Sequence, residues 1–327
     1  MKYKKVQRMQ EEISEIGLGC WSFGGDWDES DDNNTEQIVL AAVEAGINLF
    51  DVAPVYGFGH SETVLGNVLK KHHLRDRVLI ASKCGLLWNE KRETRNNLTK
   101  ESILWEIEQS LIRLQTDTID IYQLHWPDPN TPLEETASAL KEIQASGKIR
   151  YIGLSNFSQK DVAKFEEHLQ VHTQQSLYNM LERNTSHYHR IPLAYQTERD
   201  VLPYVREHGQ AFFPYSPLFQ GLLTGAFTMG QNFSGADIRN QNPKFGRAAF
   251  NPYYEAAGAL KDFSASIGKP MVEVALNWLR QKPEVTSIIS GAGNTEQLLG
   301  NLNCLEWELT TEMLASINKI IVPLEHV

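Results

Sequence analysis

"INLFDVAPVYGFGHSE", residues 47–62, decides how the chain is read. Its apolar run reads as a buried strand that stops on a carboxylate, Asp51. Tyr56 follows five residues later, in a loop punctuated by Pro54, Gly57 and Gly59, residue types that let a chain turn back on itself. A carboxylate and a phenol held at one strand exit could do chemistry, so the flanking segments matter.

Seven more apolar runs of this kind flank it: "IGLGCW" (16–21), "RVLIASK" (77–83), "IDIYQLHW" (119–126), "IRYIGLS" (149–155), "HTQQSL" (172–177), "AFFPYS" (211–216) and "VTSIISG" (285–291). Helical spacing fills most of the gaps. In "TKESILWEIEQSLIRLQ" (99–115), Ile103, Leu104, Ile107, Leu111 and Leu114 recur every three or four residues, and Thr99 or Lys100 opens the helix. "PLEETASALKEIQASGK" (132–148) starts on Pro132 and stops at Gly147, proline in and glycine out. Strand–helix alternation implies parallel strands with right-handed crossovers. Eight units in 327 residues predict an α/β fold of the (β/α)8 TIM-barrel type. A doubly wound sheet is the alternative, but "GLGCWSFGG" after the first strand lacks the G-x-G-x-x-G pattern. Residues 3–14 precede the first strand and are expected to cap the barrel bottom. Residues 218–250, rich in Gly, Asn and Phe, read as a long functional loop after strand seven. Nothing marks a linker, so residues 1–327 are expected to form one domain.

Composition narrows the function. Hydrophobic residues make up 41% and charged residues 22%, ordinary for a globular protein in water. No apolar run approaches the ~20 residues that span a bilayer, and the basic N-terminus lacks the apolar core of a signal peptide. The three cysteines, Cys20, Cys84 and Cys304, are widely separated. They point to a reducing, cytoplasmic setting, exclude a cysteine-based zinc site, and read as buried inert thiols. A net charge of −10 argues against nucleic-acid binding. No metal site is expected, because no His/Asp/Glu cluster has ligand spacing.

In a barrel, the chemistry gathers at the C-terminal strand ends. Strand two ends in Asp51, strand three in Lys83 and strand four in His125, with Tyr56 on the loop after strand two. Each alone has an ordinary explanation as a cap, a solvated charge or a packing group. Together they make a proton-transfer site. A phenol with a reference pKa of ~10 needs a neighbouring ammonium to exchange a proton near neutrality. A carboxylate holds that ammonium in place. So Asp51 pairs with Lys83, Lys83 tunes Tyr56, Tyr56 is the general acid, and His125 donates an N–H to the substrate oxygen.

These segments, with "GKIRYIGLSNFS", "QQSLYN", "YSPLFQGLLTG" and "GAGNTEQLLGN", resemble the aldo-keto reductase family across nearly the whole chain. The resemblance implies hydride transfer between a nicotinamide cofactor and a carbonyl or alcohol, with Asp51, Tyr56, Lys83 and His125 matching the family's catalytic tetrad. The chain looks most like bacterial members that handle polyols and short sugar aldehydes. By the same resemblance Ser155, Asn156 and Gln175 hold the carboxamide and Tyr215 stacks on the nicotinamide. Ser216, Leu218, Gly221 and Gly291 cradle the phosphates with Arg239, and Gln297 and Asn301 lie on the adenine side. Trp21, Trp88 and Trp126 are expected to rim the substrate pocket, where aromatic walls suit sugars and aromatic aldehydes alike.

The chain departs from the family pattern at two basic positions, carrying Ala226 in one and Gly293 with Asn294 in the other. The resemblance still places NADP first, and the two missing bases lead NAD to be expected as a measurable second cofactor. Lys244 and Arg247 are further bases in the loop after strand seven. A cofactor-binding sensor or regulatory subunit is the rival function. A glycoside hydrolase would need paired carboxylates, which the exits of strands four and seven lack.

Overall fold

The computed structural model describes residues 1–25, 31–227, 233 and 237–326. Eight strands form its centre: β1 (Ile16–Gly19), β2 (Leu49–Asp51), β3 (Leu79–Cys84), β4 (Ile119–Leu124), β5 (Ile149–Ser155), β6 (Thr173–Leu177), β7 (Ala211–Tyr215) and β8 (Ile288–Ser290). Every neighbouring pair is parallel, in the spatial order β7-β6-β5-β4-β3-β2-β1-β8. The ends of this ladder meet where the Thr286 N–H donates to the Phe212 carbonyl, 2.9 Å away. The sheet is a (β/α)8 barrel, and that closure excludes the doubly wound alternative. The outer helices are α1 (Asp32–Glu44), α2 (His60–Lys71), α3 (Lys100–Leu114), α4 (Leu133–Ala145), α5 (Gln159–Glu166), α6 (Leu202–His208), α7 (Arg247–Ser266), α8 (Met271–Arg280), α9 (Thr295–Leu302) and α10 (Thr311–Ile321). Among the described residues no helix is long and apolar enough to cross a membrane.

Period-two alternation sorts each strand's side chains. Leu49, Leu79, Ala81, Ile121, Tyr151, Ala211, Phe213 and Ile289 cluster inside the barrel. Their sequence neighbours Phe50, Ile80, Tyr122, Ile152, Phe212 and Ile288 pack into the core that the helices complete. Nearer the strand exits the inward residues change type to Asp51, Lys83, Gln123, Ser155 and Gln175, each 3% exposed or less. The interior is thus apolar below and polar above, and the polar end is where the chemistry can lie. It is also crowded. A Cβ on Gly153 would fall 2.3 Å from Thr173 Oγ1 and 2.7 Å from Gln123 Cγ.

The N-terminal segment closes the bottom, as its position before β1 implies. Tyr3–Lys5 pairs antiparallel with Glu12–Ser14, Val6, Met9 and Ile13 join the interior cluster, and Lys4 Nζ donates to the carbonyls of Arg280 (3.1 Å) and Val285 (2.6 Å). Other features depart from the sequence reading. His125 and Trp126 lie beyond the end of β4, because the ladder stops at Leu124. Pro132 is the residue before α4 rather than its first, in an extended conformation. Residues 218–250 are not a bare loop. They carry 3-10 turns at Phe219–Thr224, Ile238–Gln241 and Pro243–Phe245, and Phe227, Phe233, Phe245 and Phe250 build a small aromatic core with centroids 5.4–5.7 Å apart. Two hairpins were not foreseen: Leu86–Trp88 with Thr94–Asn96, and His187–Tyr188 with Ile191–Pro192.

Candidate active site

The loop after β2 turns back sharply over the barrel mouth. Gly57, Phe58 and Gly59 have φ of 59°, 55° and 97°, three successive residues in the region that favours glycine. The Gly59 N–H closes the turn on the Pro54 carbonyl, 2.7 Å away. A Cβ on Gly57 would lie 2.3 Å from the Gly24 carbonyl oxygen, so only glycine lets this loop touch the segment after β1. The turn returns Tyr56 to the exits of β2 and β3.

There the four predicted groups meet. Lys83 Nζ donates to Asp51 Oδ1 (2.7 Å) and the Val52 carbonyl (3.1 Å), and lies 3.4 Å from the Tyr56 hydroxyl. Lys83 is fully buried and Asp51 nearly so. The ammonium also sits 5.2 Å from the centroid of the Tyr56 ring. His125 meets that ring edge-on at 5.9 Å. Its backbone is fixed by its own N–H to the Cys84 carbonyl (3.0 Å) and by Asn156 Nδ2 donating to its carbonyl (3.2 Å). Burial, with the Lys83 charge adding, holds the imidazole well below the usual histidine range. The ring is therefore neutral at ordinary pH, with one N–H to donate.

The residues assigned to the cofactor gather on the same side. Ser155 ends β5, and Asn156 follows it with φ of 66°. Asn156 Oδ1 accepts from two phenols, Tyr215 (2.9 Å) and Tyr195 (2.8 Å), while its Nδ2 also donates to Ser155 Oγ (3.1 Å). Tyr195 was not anticipated. It also accepts the Leu177 N–H at 3.3 Å, and nothing local in the sequence marks it. Gln175 Nε2 donates to Asp51 Oδ1 at 2.8 Å. Beyond β7, the Ser216 carbonyl accepts from Asn179 Nδ2 (3.0 Å), and the Leu218 carbonyl accepts the Gly221 N–H (3.0 Å) in a turn where Gly221 has φ of 96°. Arg239 is engaged by its own neighbour: Nε lies 2.9 Å from Asp237 Oδ1 and Nη2 2.5 Å from Oδ2. At α9, Asn294 caps the helix by accepting the Gln297 N–H (2.9 Å), and Gln297 Oε1 accepts the Gly293 N–H (2.8 Å). Asn301 Nδ2 donates to Ser290 Oγ (3.1 Å) and reaches the Gly291 carbonyl at 3.5 Å, bracing the β8 exit. Lys244 is withdrawn into a buried pair with Glu182 (2.5 Å) and also donates to the His187 carbonyl (2.8 Å). The side chain of Arg247 lies outside the described residues.

The three tryptophans are half-buried and each finds an aromatic partner. Trp21 stacks on Tyr56 (6.0 Å), Trp88 meets Phe58 edge-on (5.7 Å), and Trp126 stacks on Tyr188 (6.4 Å). Phe58 and Tyr188 were missed. Phe58 could have been read from its place between two glycines. Tyr188 sits on a hairpin too short to carry a period. The three thiols are buried, and burial raises Cys20 and Cys84 well above the usual thiol range and Cys304 to about 12. Their burial is what the expectation of inert thiols requires.

A buried acid supports the β3 exit. Glu106 on α3 accepts the Gly85 N–H and the Ser102 hydroxyl, both at 2.9 Å, and burial pushes its carboxyl up to about 7. In the unfolded chain it titrates near ~4.3. Between those values the folded state binds more protons, so this group's contribution to stability falls as pH rises from ~4.3 to 7, by ~3 kcal/mol in all. Glu106→Gln removes the titration. Its melting temperature relative to the parent should rise by a few degrees between pH 5 and pH 8, and a difference independent of pH would contradict the account.

Comparisons with known proteins identify the family and the fold. The sequence model of the aldo/keto reductase family matches residues 15–322. An aldo-keto reductase of Bacillus subtilis (strain 168) is 38% identical over 323 residues, covering 98% of this chain and 94% of the relative. The NADH-specific methylglyoxal reductase of Escherichia coli (strain K12) is 34% identical over 313 residues, 91% of each protein. Among solved structures, a glycerol dehydrogenase from Gluconobacter oxydans superposes with a TM-score of 0.86 at 33% identity, covering 99% of this chain and 96% of that one.

Proposed function

The chain belongs to the aldo/keto reductase family, and from that premise we propose that it is a single-domain, cytoplasmic NAD(P)-dependent oxidoreductase of short sugar aldehydes, ketones or polyols. The observation that carries this reading is the Lys83 ammonium held between Asp51 and the Tyr56 hydroxyl. In reduction Tyr56 donates its proton to the substrate carbonyl oxygen, and in oxidation it takes the proton from the alcohol. Lys83 stabilises the phenolate left behind, and Asp51 keeps Lys83 in place and charged. The neutral His125 donates its N–H to the same substrate oxygen. Trp21, Trp88 and Trp126 rim the space where that substrate lies.

A nicotinamide cofactor, when bound, supplies or accepts the hydride. The residues present fit one. Gln175 keeps an amide oxygen that accepts no hydrogen bond among the described residues, next to the Ser155 and Asn156 pair. Tyr215 offers a ring face. Ser216, Leu218, Gly221 and Gly291 supply turns for the phosphates, with Arg239 as the nearby base and Gln297 and Asn301 on the adenine side. The test is a panel of aldoses, polyols and aromatic aldehydes assayed with both cofactors.

Cofactor choice follows from charge. A 2′-phosphate wants a free guanidinium or ammonium. Asp237 already holds Arg239, Glu182 holds Lys244, and Asn294 is spent as a helix cap. NADP is accepted, and NAD is used measurably beside it. Asn294→Arg should shift the kcat/KM ratio towards NADP by roughly tenfold to a hundredfold, the scale of one charge-assisted contact, at ~1 kcal/mol of stability for the lost cap. A parent ratio above about a thousandfold in favour of NADP, unmoved by the substitution, would place selectivity elsewhere.

A further inference from the structure

We propose that Gln175 is a positioning residue for the acid–base pair as well as a cofactor contact, one amide end serving Asp51 and the other the cofactor. This rests on the reading of the site as a carbonyl reductase. Lys83 Nζ and Gln175 Nε2 converge on one oxygen, Asp51 Oδ1, at 2.7 and 2.8 Å. Gln175 is 2% exposed and lies in register with Ser155 on β5 and Phe213 on β7, so it cannot turn out to solvent. A carboxylate only accepts. The glutamine NH2 must therefore face Asp51, and its carbonyl oxygen must face away. That orientation offers an acceptor, which suits the NH2 of a carboxamide. The catalytic carboxylate thus sets the polarity of the cofactor contact.

The coupling also runs the other way. Asp51 opposes the Tyr56 phenolate by drawing on the Lys83 charge. An N–H donated to the same oxygen takes up part of the carboxylate's field and leaves the ammonium freer to act on Tyr56. The other titratable groups facing the pair among the described residues are the Cys20 thiol after β1 and the His125 imidazole after β4. Burial keeps both neutral across ordinary pH. The pH dependence of proton transfer is therefore governed by Asp51, Lys83, Tyr56 and the Gln175 dipole.

The test is the pH profile of alcohol oxidation, with reduced-cofactor affinity measured by fluorescence titration, in the parent, Gln175→Met and Gln175→Glu. Oxidation needs the phenolate. Loss of the N–H in Gln175→Met should displace the rising limb upward by about half a pH unit and weaken cofactor binding roughly threefold to tenfold. Gln175→Glu sets a second carboxylate against Asp51 and should displace the limb further. A folded Met variant with weaker cofactor binding and an unmoved pH profile overturns the proposal, because Gln175 is then a cofactor contact alone. If Gln175→Met does not fold, the Glu variant decides by the same limb. Loss of folding in both equally overturns it, since the role is then structural. A parent that turns over while these outcomes fail sinks only this inference; a parent that binds no reduced nicotinamide sinks the functional reading beneath it.

Discussion

Tyr56→Phe is expected to lower turnover by ~10²–10⁴, the usual contribution of a positioned general acid, while reduced-cofactor affinity stays near the parent value. The substitution deletes one hydroxyl and keeps the ring that stacks on Trp21 and meets His125 edge-on, so the pocket keeps its shape. The residues proposed to hold the carboxamide, Ser155, Asn156 and Gln175, lie on or just after other strands. Stopped-flow turnover and fluorescence titration on the same preparation separate the two effects. A Phe variant with near-parent turnover would remove Tyr56 from the mechanism.

Lys83→Met is expected to fail in two ways. At 3.4 Å from the phenol oxygen, an ammonium is worth ~5 kcal/mol to a phenolate at an effective dielectric of ~20. The opposing field of Asp51 reduces that figure, so the turnover loss should be ~10²–10³. The residual oxidation rate should have its limb at higher pH, because the phenolate has lost its counter-charge. The second failure is in stability. Asp51 becomes a buried carboxylate with Gln175 but no cation, and breaking a buried pair on one side typically costs ~3–5 kcal/mol. Thermal melts and pH–rate profiles read the two effects separately. A Met variant that is as stable and as active as the parent would show that Lys83 neither tunes nor supports the site.

Much of the barrel was legible because its strands are short apolar runs between amphipathic helices, and each strand-like run holds one of the eight strands. The meeting of the four candidate groups was legible for a related reason. A barrel gathers strand ends at one rim, so Asp51, Lys83 and His125 could be put together from position alone. The supporting contacts were not legible. Gln175 reaches Asp51 across 124 residues of chain, and Tyr195 reaches Asn156 from a segment with no period of its own. Such pairings depend on how far each strand slides against its neighbour, which hydrophobic spacing does not encode. The bases in the loop after β7 illustrate the limit. The family resemblance made Arg239 a candidate for a phosphate and the loop's basic residues made Lys244 another, whereas folding brings Asp237 and Glu182 against them. Asp237 stands two residues before Arg239 in "GADIR", a local signal that was available. Glu182 is 62 residues from Lys244, and no local reading could pair them.

The most direct measurement of the central claim is the consumption of reduced nicotinamide by the unmodified chain, followed optically with a short sugar aldehyde in excess. The account predicts continuous loss of the reduced-cofactor signal over many turnovers, in proportion to enzyme. A perturbed cofactor fluorescence with no turnover across aldoses, ketones and aromatic aldehydes would contradict it, and would mark the chain as a protein that binds the cofactor without using it.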